Sequence, residues 1–205
     1  MIALTSSPGS EATCLRVQMK GKEHKLSIDL ALLMLRVGIG GLVVAHGTQK
    51  LFGWFGGGGL AGTHTMIQGL GLRPAWLWMW IAIVSEVGGG LSFALGLLNP
   101  LGALLIFAVM VMSMILVSWP RFWGWQNGIE YNQLFMIPAI AVAISGPGHF
   151  SLDVALGLSL PFPLTLIIGM VLMKIGLVVA LVTRLPASKR TAPVDRALPT
   201  QPVHV

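Results

Sequence analysis

The stretch 28-IDLALLMLRVGIGGLVVAHGTQKL-51 decides the fold. It exceeds the roughly 20 residues that a helix needs to cross a hydrocarbon core. Its only ionisable residues are Asp29, Arg36, His46 and Lys50. The rest of the chain has the same character. Of its 205 residues, 55% are hydrophobic and 10% charged, and the mean hydropathy is +0.81. Soluble domains carry about 25% charged residues, so this chain lacks the polar surface to dissolve itself. It reads as an all-α, multi-pass membrane protein.

Outward from that first span, residues 1–26 are polar and are expected to form a mobile or interfacial tail. They lack the apolar core of a cleavable signal peptide, so the first span is expected to direct insertion itself. Gly38, Gly40, Gly41 and Gly47 mark the span as a helix that neighbours can approach closely, and hence as an interior one. A loop follows over 52–73. Its four consecutive glycines, 56–59, are too costly for a helix, and LAGTHTMIQGLGL reads as a short amphipathic segment along the interface. Span two covers Pro74 to Leu98, and Asn99-Pro100 turns the chain into span three, Leu101 to Trp119. The loop PRFWGWQNG leads to span four, Ile129 to Ser145, closed by Gly146-Pro147-Gly148. A fifth apolar run, Pro163 to Val182, carries Lys174 near its middle. That lysine either snorkels to an interface or marks a contact with the bundle. Residues 185–205 are Pro-rich and basic, with the composition of a disordered tail.

The formal net charge of +6 gathers in the flanks, at Arg16, Lys20, Lys22 and Lys25 and again at Arg184, Lys189, Arg190 and Arg196. Such residues set topology and meet anionic lipid, so nucleic acid is not an expected partner. With five spans the two basic flanks fall on opposite sides and oppose each other as topology signals. The single cysteine, Cys14, excludes an internal disulfide or C-x-x-C pair. No closed zinc set, bis-histidine haem pair or phosphate loop is present in the spacing, so no metal and no covalent cofactor is expected.

All seven tryptophans (54, 76, 78, 80, 119, 123 and 125) fall at one end of an up-and-down bundle. An ordinary aromatic belt decorates both interfaces, so this loading suggests an ordered cap at that end. Ionisable residues within the spans are expensive and usually face a partner or a cavity. Arg36, His46 and Lys50 lie within about 80° of one another on a helical wheel, forming one stripe. Aligning spans one and two end to end puts Glu86 between Arg36 and His46, so an Arg36–Glu86 contact is expected. Glu130 and Gln133 share a face of span four and are expected to point toward Lys50. The same residues equally fit a buried ion-pair network that specifies packing and binds nothing.

This set of residues resembles the DoxX family of small bacterial and archaeal membrane proteins. The likeness is carried by Arg36, HGTQKLFGWFGGGGLAGT (46–63), LGLRPAW (70–76), the Glu86-Val-Gly-Gly run, GIEYNQ (128–133) and GPGHFSLD (146–153). It implies a four-helix core over 27–153, with residues 154–184 as an additional transmembrane helix outside the family pattern. It also implies a prokaryotic cell (inner) membrane. Family members look like subunits of redox systems, among them a quinone-linked thiosulfate oxidoreductase and a mycobacterial oxidative-stress complex. The expectation is therefore a redox-associated subunit that binds quinone, a small anion such as thiosulfate, or both. Lys50, Arg73 and Arg121 would hold the anion, and Trp54, Trp123 and Glu86 would line the ring site. His46, Glu86 and Glu130 are the candidate catalytic groups for proton handling, with Arg36, Gln49, Tyr131 and Asn132 as further binding candidates. Electrons would pass through membrane or membrane-associated protein partners, and a homo-oligomer is a further candidate assembly. A proton or small-solute path along Arg36, Glu86 and His46, and a non-catalytic assembly scaffold, are the alternatives.

Overall fold

The computed structural model describes residues 8–184, with side chains from Gln18 onward; the expected C-terminal tail and residues 1–7 lie outside the described residues. Helix α1 spans Pro8–Phe52 and contains the first span. At 1.5 Å per residue it is about 68 Å long, roughly twice a hydrocarbon core. The polar stretch read as a tail is thus helical from Pro8. Its residues are mostly good helix formers, and Gly21 alone interrupts them between Ser10 and Gly38.

The chain then forms α2 (Gly59–Gly69), α3 (Ala75–Leu95) and α4 (Leu101–Ser113), the last continued by a π-helical turn over Met114–Ser118. Helices α5 (Glu130–Ser145), α6 (Leu152–Leu156) and α7 (Leu164–Val182) complete it. Four helices are long and apolar enough to cross a membrane: α1 from Gln18, α3, α4 with its π-turn, and α7. Helix α5 was expected as a full span, but its 16 residues reach only about 24 Å, against a core of about 30 Å. It still belongs to the bundle. Ala139, Val142 and Ala143 of α5 are buried with Val43 of α1, Phe93 of α3 and Ile106 of α4. A second core joins Ile67 of α2, Trp78 and Ile83 of α3, Leu116 of the π-turn and Ala180 of α7. The architecture is an all-α membrane bundle of α1, α3, α4 and α5, with α7 docked outside α4.

Close approach of α1 and α3 rests on glycine. A Cβ placed at Gly40 would stand 2.7 Å from the Gly90 carbonyl oxygen, and one at Gly90 would stand 2.9 Å from Val44. Gly47 lies equally tight against Val87 and the Cβ of Glu86. Without side chains at these positions the backbones meet and their dispersion contacts hold the seam. The opposite face of α1 is open. Gly38 and Gly41 have nothing within 4 Å, and Met34, Val37 and Leu42 are exposed. The helix is therefore packed on one side only, and the expectation of an interior helix is corrected to a one-sided one.

The glycine loop supplies the reversal after α1. Gly53, Gly56 and Gly59 take positive φ of 76°, 79° and 59°, which an L side chain resists. Gln49 Nε2 donates to the Phe55 carbonyl at 3.3 Å, and Thr63 Oγ1 donates to the Lys50 carbonyl at 3.2 Å. The turn and α2 are thereby fastened back over the end of α1.

The seam makes a paired prediction for thermal unfolding in detergent micelles. Gly40→Ala should destabilise by about 1–3 kcal/mol through overpacking. Gly38→Ala should be neutral, or stabilise by up to about 1 kcal/mol through helix propensity. Equal effects would show that the seam is not what holds α1.

Candidate functional site

The site begins with the register of that seam. Gly40 faces Gly90 and Ala94, and Gly47 faces Glu86 and Val87. Glu86 is therefore level with Gly47, about two helical turns from the depth expected by end-to-end alignment. The cause is α3, which runs on past the end of α1 at the tryptophan-rich end instead of starting level with it. As a result Glu86 pairs with Lys50 and not with Arg36. Lys50 Nζ donates to Glu86 Oε1 in a close ion pair. Glu86 is only 3% exposed, and its second oxygen, Oε2, has no partner. A buried carboxylate oxygen left unpaired is costly in an apolar bundle, and it is poised to accept a hydrogen bond.

Lys50 also lines a cavity of about 500 Å³ enclosed by α2, α3, α4 and α7. That volume is typical of sites for drug-sized ligands. Its walls are apolar, with Leu105, Ala108 and Met112 from α4 and Leu172 and Met173 from α7, while Met66, Ile67 and Leu70 approach from α2. Against this background the polar residues are few: Lys50, Ser85 and Ser113. Trp78 is the tryptophan of the lining; Trp54 and Trp123, expected around a ring site, are exposed elsewhere. The expected cap is not a single layer. Trp123 stacks on Trp125 at 5.0 Å, and Trp54 packs on Phe52 at the same distance.

Arg36 lies at the opposite end, level with the α3–α4 turn. It is 1% exposed, and its Nη2 donates to the Phe150 carbonyl. Gly96, with φ of 65°, leaves room for the guanidinium, because any Cβ there would overlap it. Asp153 of α6 lies at the same end and makes no ion pair with Arg36 among the described residues. Its two oxygens accept from the backbone N–H groups of Leu98 and Asn99 at 2.7 and 2.8 Å. The segment 148–153 is further tied to α1 through His149 N–H and Asp29 Oδ1 at 2.9 Å. This end is a clamp of charge-assisted hydrogen bonds that fixes α1, the α3–α4 turn and α6 together. Nε and Nη1 of Arg36 have no partner, and the crevice beside them has no room for a water-sized group.

The remaining candidates separate. His46 is exposed and meets the edge of Phe135 on α5, with ring centroids 6.1 Å apart. The stripe of Arg36, His46 and Lys50 is thus three separate environments. Glu130 does not point toward Lys50; Oε2 accepts from the Gly124 N–H at 2.7 Å and organises the 120–128 loop. Tyr131 is exposed and packs over Gly124. Asn132 is buried and bridges helices, accepting from Ser118 Oγ at 3.1 Å and donating to the Met110 carbonyl at 3.2 Å. Arg121, in the loop after the π-turn, donates to the Val117 carbonyl of that turn. Arg73 lines a separate, open cleft with His64, Gln68 and Trp76. Lys174 is exposed on α7 and makes no ion pair among the described residues. No group of three or more His, Cys, Asp or Glu gathers among the described residues.

Sequence reasoning missed Ser85, Ser113 and the cavity-facing side of α7. Ser85 had a signal in its adjacency to Glu86. The α7 positions, Gly169 and Gly176, carried only the seven-residue spacing that places them on one face.

If the pair is a structural unit as well as a site, its members must depend on each other. Lys50→Met should cost about 3 kcal/mol, because it strands a buried carboxylate. The double variant Lys50→Met/Glu86→Leu should recover most of that loss. A thermal double-mutant cycle reads the coupling, and additive losses would show that the two side chains do not interact.

Residues 31–119, which run from α1 through the π-turn of α4, match the DoxX family model. No match was found among curated proteins or among solved structures. The matched segment contains Arg36, Lys50 and Glu86 and ends before α5 and α7. Through this segment, which is less than half of the chain, the protein is similar to the DoxX family of membrane proteins.

Proposed function

We propose that the chain is a membrane redox subunit that holds a quinone ring in the α2–α3–α4–α7 cavity. The observation that carries this reading is Lys50, a lone ammonium at the wall of an apolar cavity, held there by the buried Glu86 behind it. A quinone, when bound, takes up two electrons and two protons and thereby carries reducing equivalents into the membrane. The donors and acceptors present suit that group. The Lys50 ammonium can donate to a carbonyl oxygen, and the Ser85 and Ser113 hydroxyls can accept from a hydroxyl. Ser85 and Ser113 supply neutral hydrogen bonds that fix orientation, and the leucines and methionines exclude water. Excluding water strengthens the ion pair and every hydrogen bond beside it.

The chain offers no residue set for carrying electrons among its described residues, so the electrons come from a partner protein. An anion such as thiosulfate would not share the ring site. Arg121 is spent on a backbone carbonyl, and Lys50 is held by Glu86. The cleft of His64, Gln68, Arg73 and Trp76 is the better candidate for a small anion. The transport reading has less support. Arg36 and Lys50 are about 21 Å apart along α1, with the closed glycine seam between them.

Quinone binding can be measured by fluorescence quenching of the protein in lipid nanodiscs. Wild type should bind saturably in the micromolar range. Glu86→Gln and Lys50→Met should each weaken binding by about tenfold, near 1.4 kcal/mol. His46→Ala should change it by less than about twofold, well under 1 kcal/mol. Saturable binding that ignores Lys50 and Glu86 would place the ring elsewhere.

A further inference from the structure

Helix α7 touches the bundle at two places and stands off between them. Near its start, Gly169 lies so close to Leu104 that a Cβ there would overlap the leucine. Near its end, Ala180 is fully buried in the cluster containing Leu116, and Arg184 Nε donates to the Leu70 carbonyl at 2.8 Å. Gly176 lies between these fastenings. It lines the cavity, yet a Cβ built on it meets nothing within 4 Å. The void exists because α7 is pinned at both ends and spaced from α4 in the middle.

The helix registers give the void a direction. Gly89 against Leu105 and Gly102 against Phe93 set α3 and α4 antiparallel, which brings Ser85 and Ser113 within about one turn of the Lys50 depth. Ser85 is level with about residue 109 of α4, and from there to Leu101, about 12 Å along the helix, the cavity lining contains no further polar side chain. The cavity is therefore polar in one band and apolar over a length of about 12 Å, longer than a single ring.

We propose that α7 makes this cavity a site for a single-tailed amphiphile. Its head lies at Lys50, Ser85 and Ser113, and its tail runs under α7 toward Leu101. Gly169 against Leu104 and Ala180 beside Leu116 put Gly176 level with the head, whereas Met173, level with Ala108, borders the tail channel and sets its width. Helix α7 lies outside the segment shared with the family, so tail recognition is a property of this chain's added helix. The head assignment rests on the quinone reading above, whereas the tail assignment rests on α7 alone.

The test uses the full chain in nanodiscs and two probes, a tailless dimethoxy-methyl-benzoquinone and its decyl derivative. Wild type should bind the decyl compound at least about tenfold more tightly, since each buried methylene adds favourable transfer energy. Met173→Trp should abolish most of that advantage while changing affinity for the tailless ring by less than about twofold. Ala108→Leu narrows the same channel from α4 and reads the proposal if the α7 variant fails to fold. Lys174→Met, on the exposed face of α7, should leave both affinities unchanged. Equal wild-type affinities for the two probes would overturn the tail site and leave the ring site standing. Retention of a decyl fatty acid that depends on Met173, with no quinone bound, would keep the tail site and overturn the quinone reading.

Discussion

The contact between α1 and α3 is the constraint on which the rest of the structure depends. Gly40, Gly47 and Gly90 bring two backbones together at a register that only small residues permit. That register puts Glu86 beside Lys50 and Arg36 beside Gly96, and thus decides which buried charge meets which partner. In a bilayer the hydrophobic effect does not drive helices together, so packing and hydrogen bonding must. The seam provides the packing. Lys50–Glu86 at one end, and at the other Arg36 on the Phe150 carbonyl with Asp153 on the α3–α4 turn, provide the polar locks.

The two locks differ in what they leave open. At the Arg36 end the carboxylate is fully engaged by backbone N–H groups, and the neighbouring crevice is closed. That geometry suits a structural clamp. At the Lys50 end one carboxylate oxygen is unpaired, and the lysine borders a ligand-sized apolar cavity. A buried ion pair is weak evidence for stability, since apolar residues of similar volume often serve as well. Its placement at a cavity wall is what gives it a reason beyond folding.

The spans, their order and the reversal at the glycine loop were legible in the sequence because each rests on a local rule: apolar length, proline at a helix start, glycine at positive φ. The partnership of Glu86 was not legible. It depends on how far α3 runs past the end of α1, and no local pattern encodes that overhang. Glu130 and Asn132 misled for a related reason. A polar side chain at a span's edge serves the nearest backbone as readily as a distant charge, and here Glu130 caps its own loop through Gly124. His46 shares a helical face with Lys50, but that face turns from α3 toward α5 within one turn. The polar stretch before span one shows the converse. Its composition resembled a tail, yet nothing in it breaks a helix, and α1 continues through it.

The central claim is that Lys50, held by Glu86, and the α4–α7 channel form one ligand site. Photolabelling with an azidoquinone, followed by peptide mapping, tests it most directly. The account predicts saturable labelling confined to the cavity-facing residues of α3, α4 and α7, such as Ser85, Ala108 and Met173, and competed by unlabelled quinone. Labelling concentrated on the open face of α1 around His46 and Phe135, or labelling that does not saturate, would contradict it.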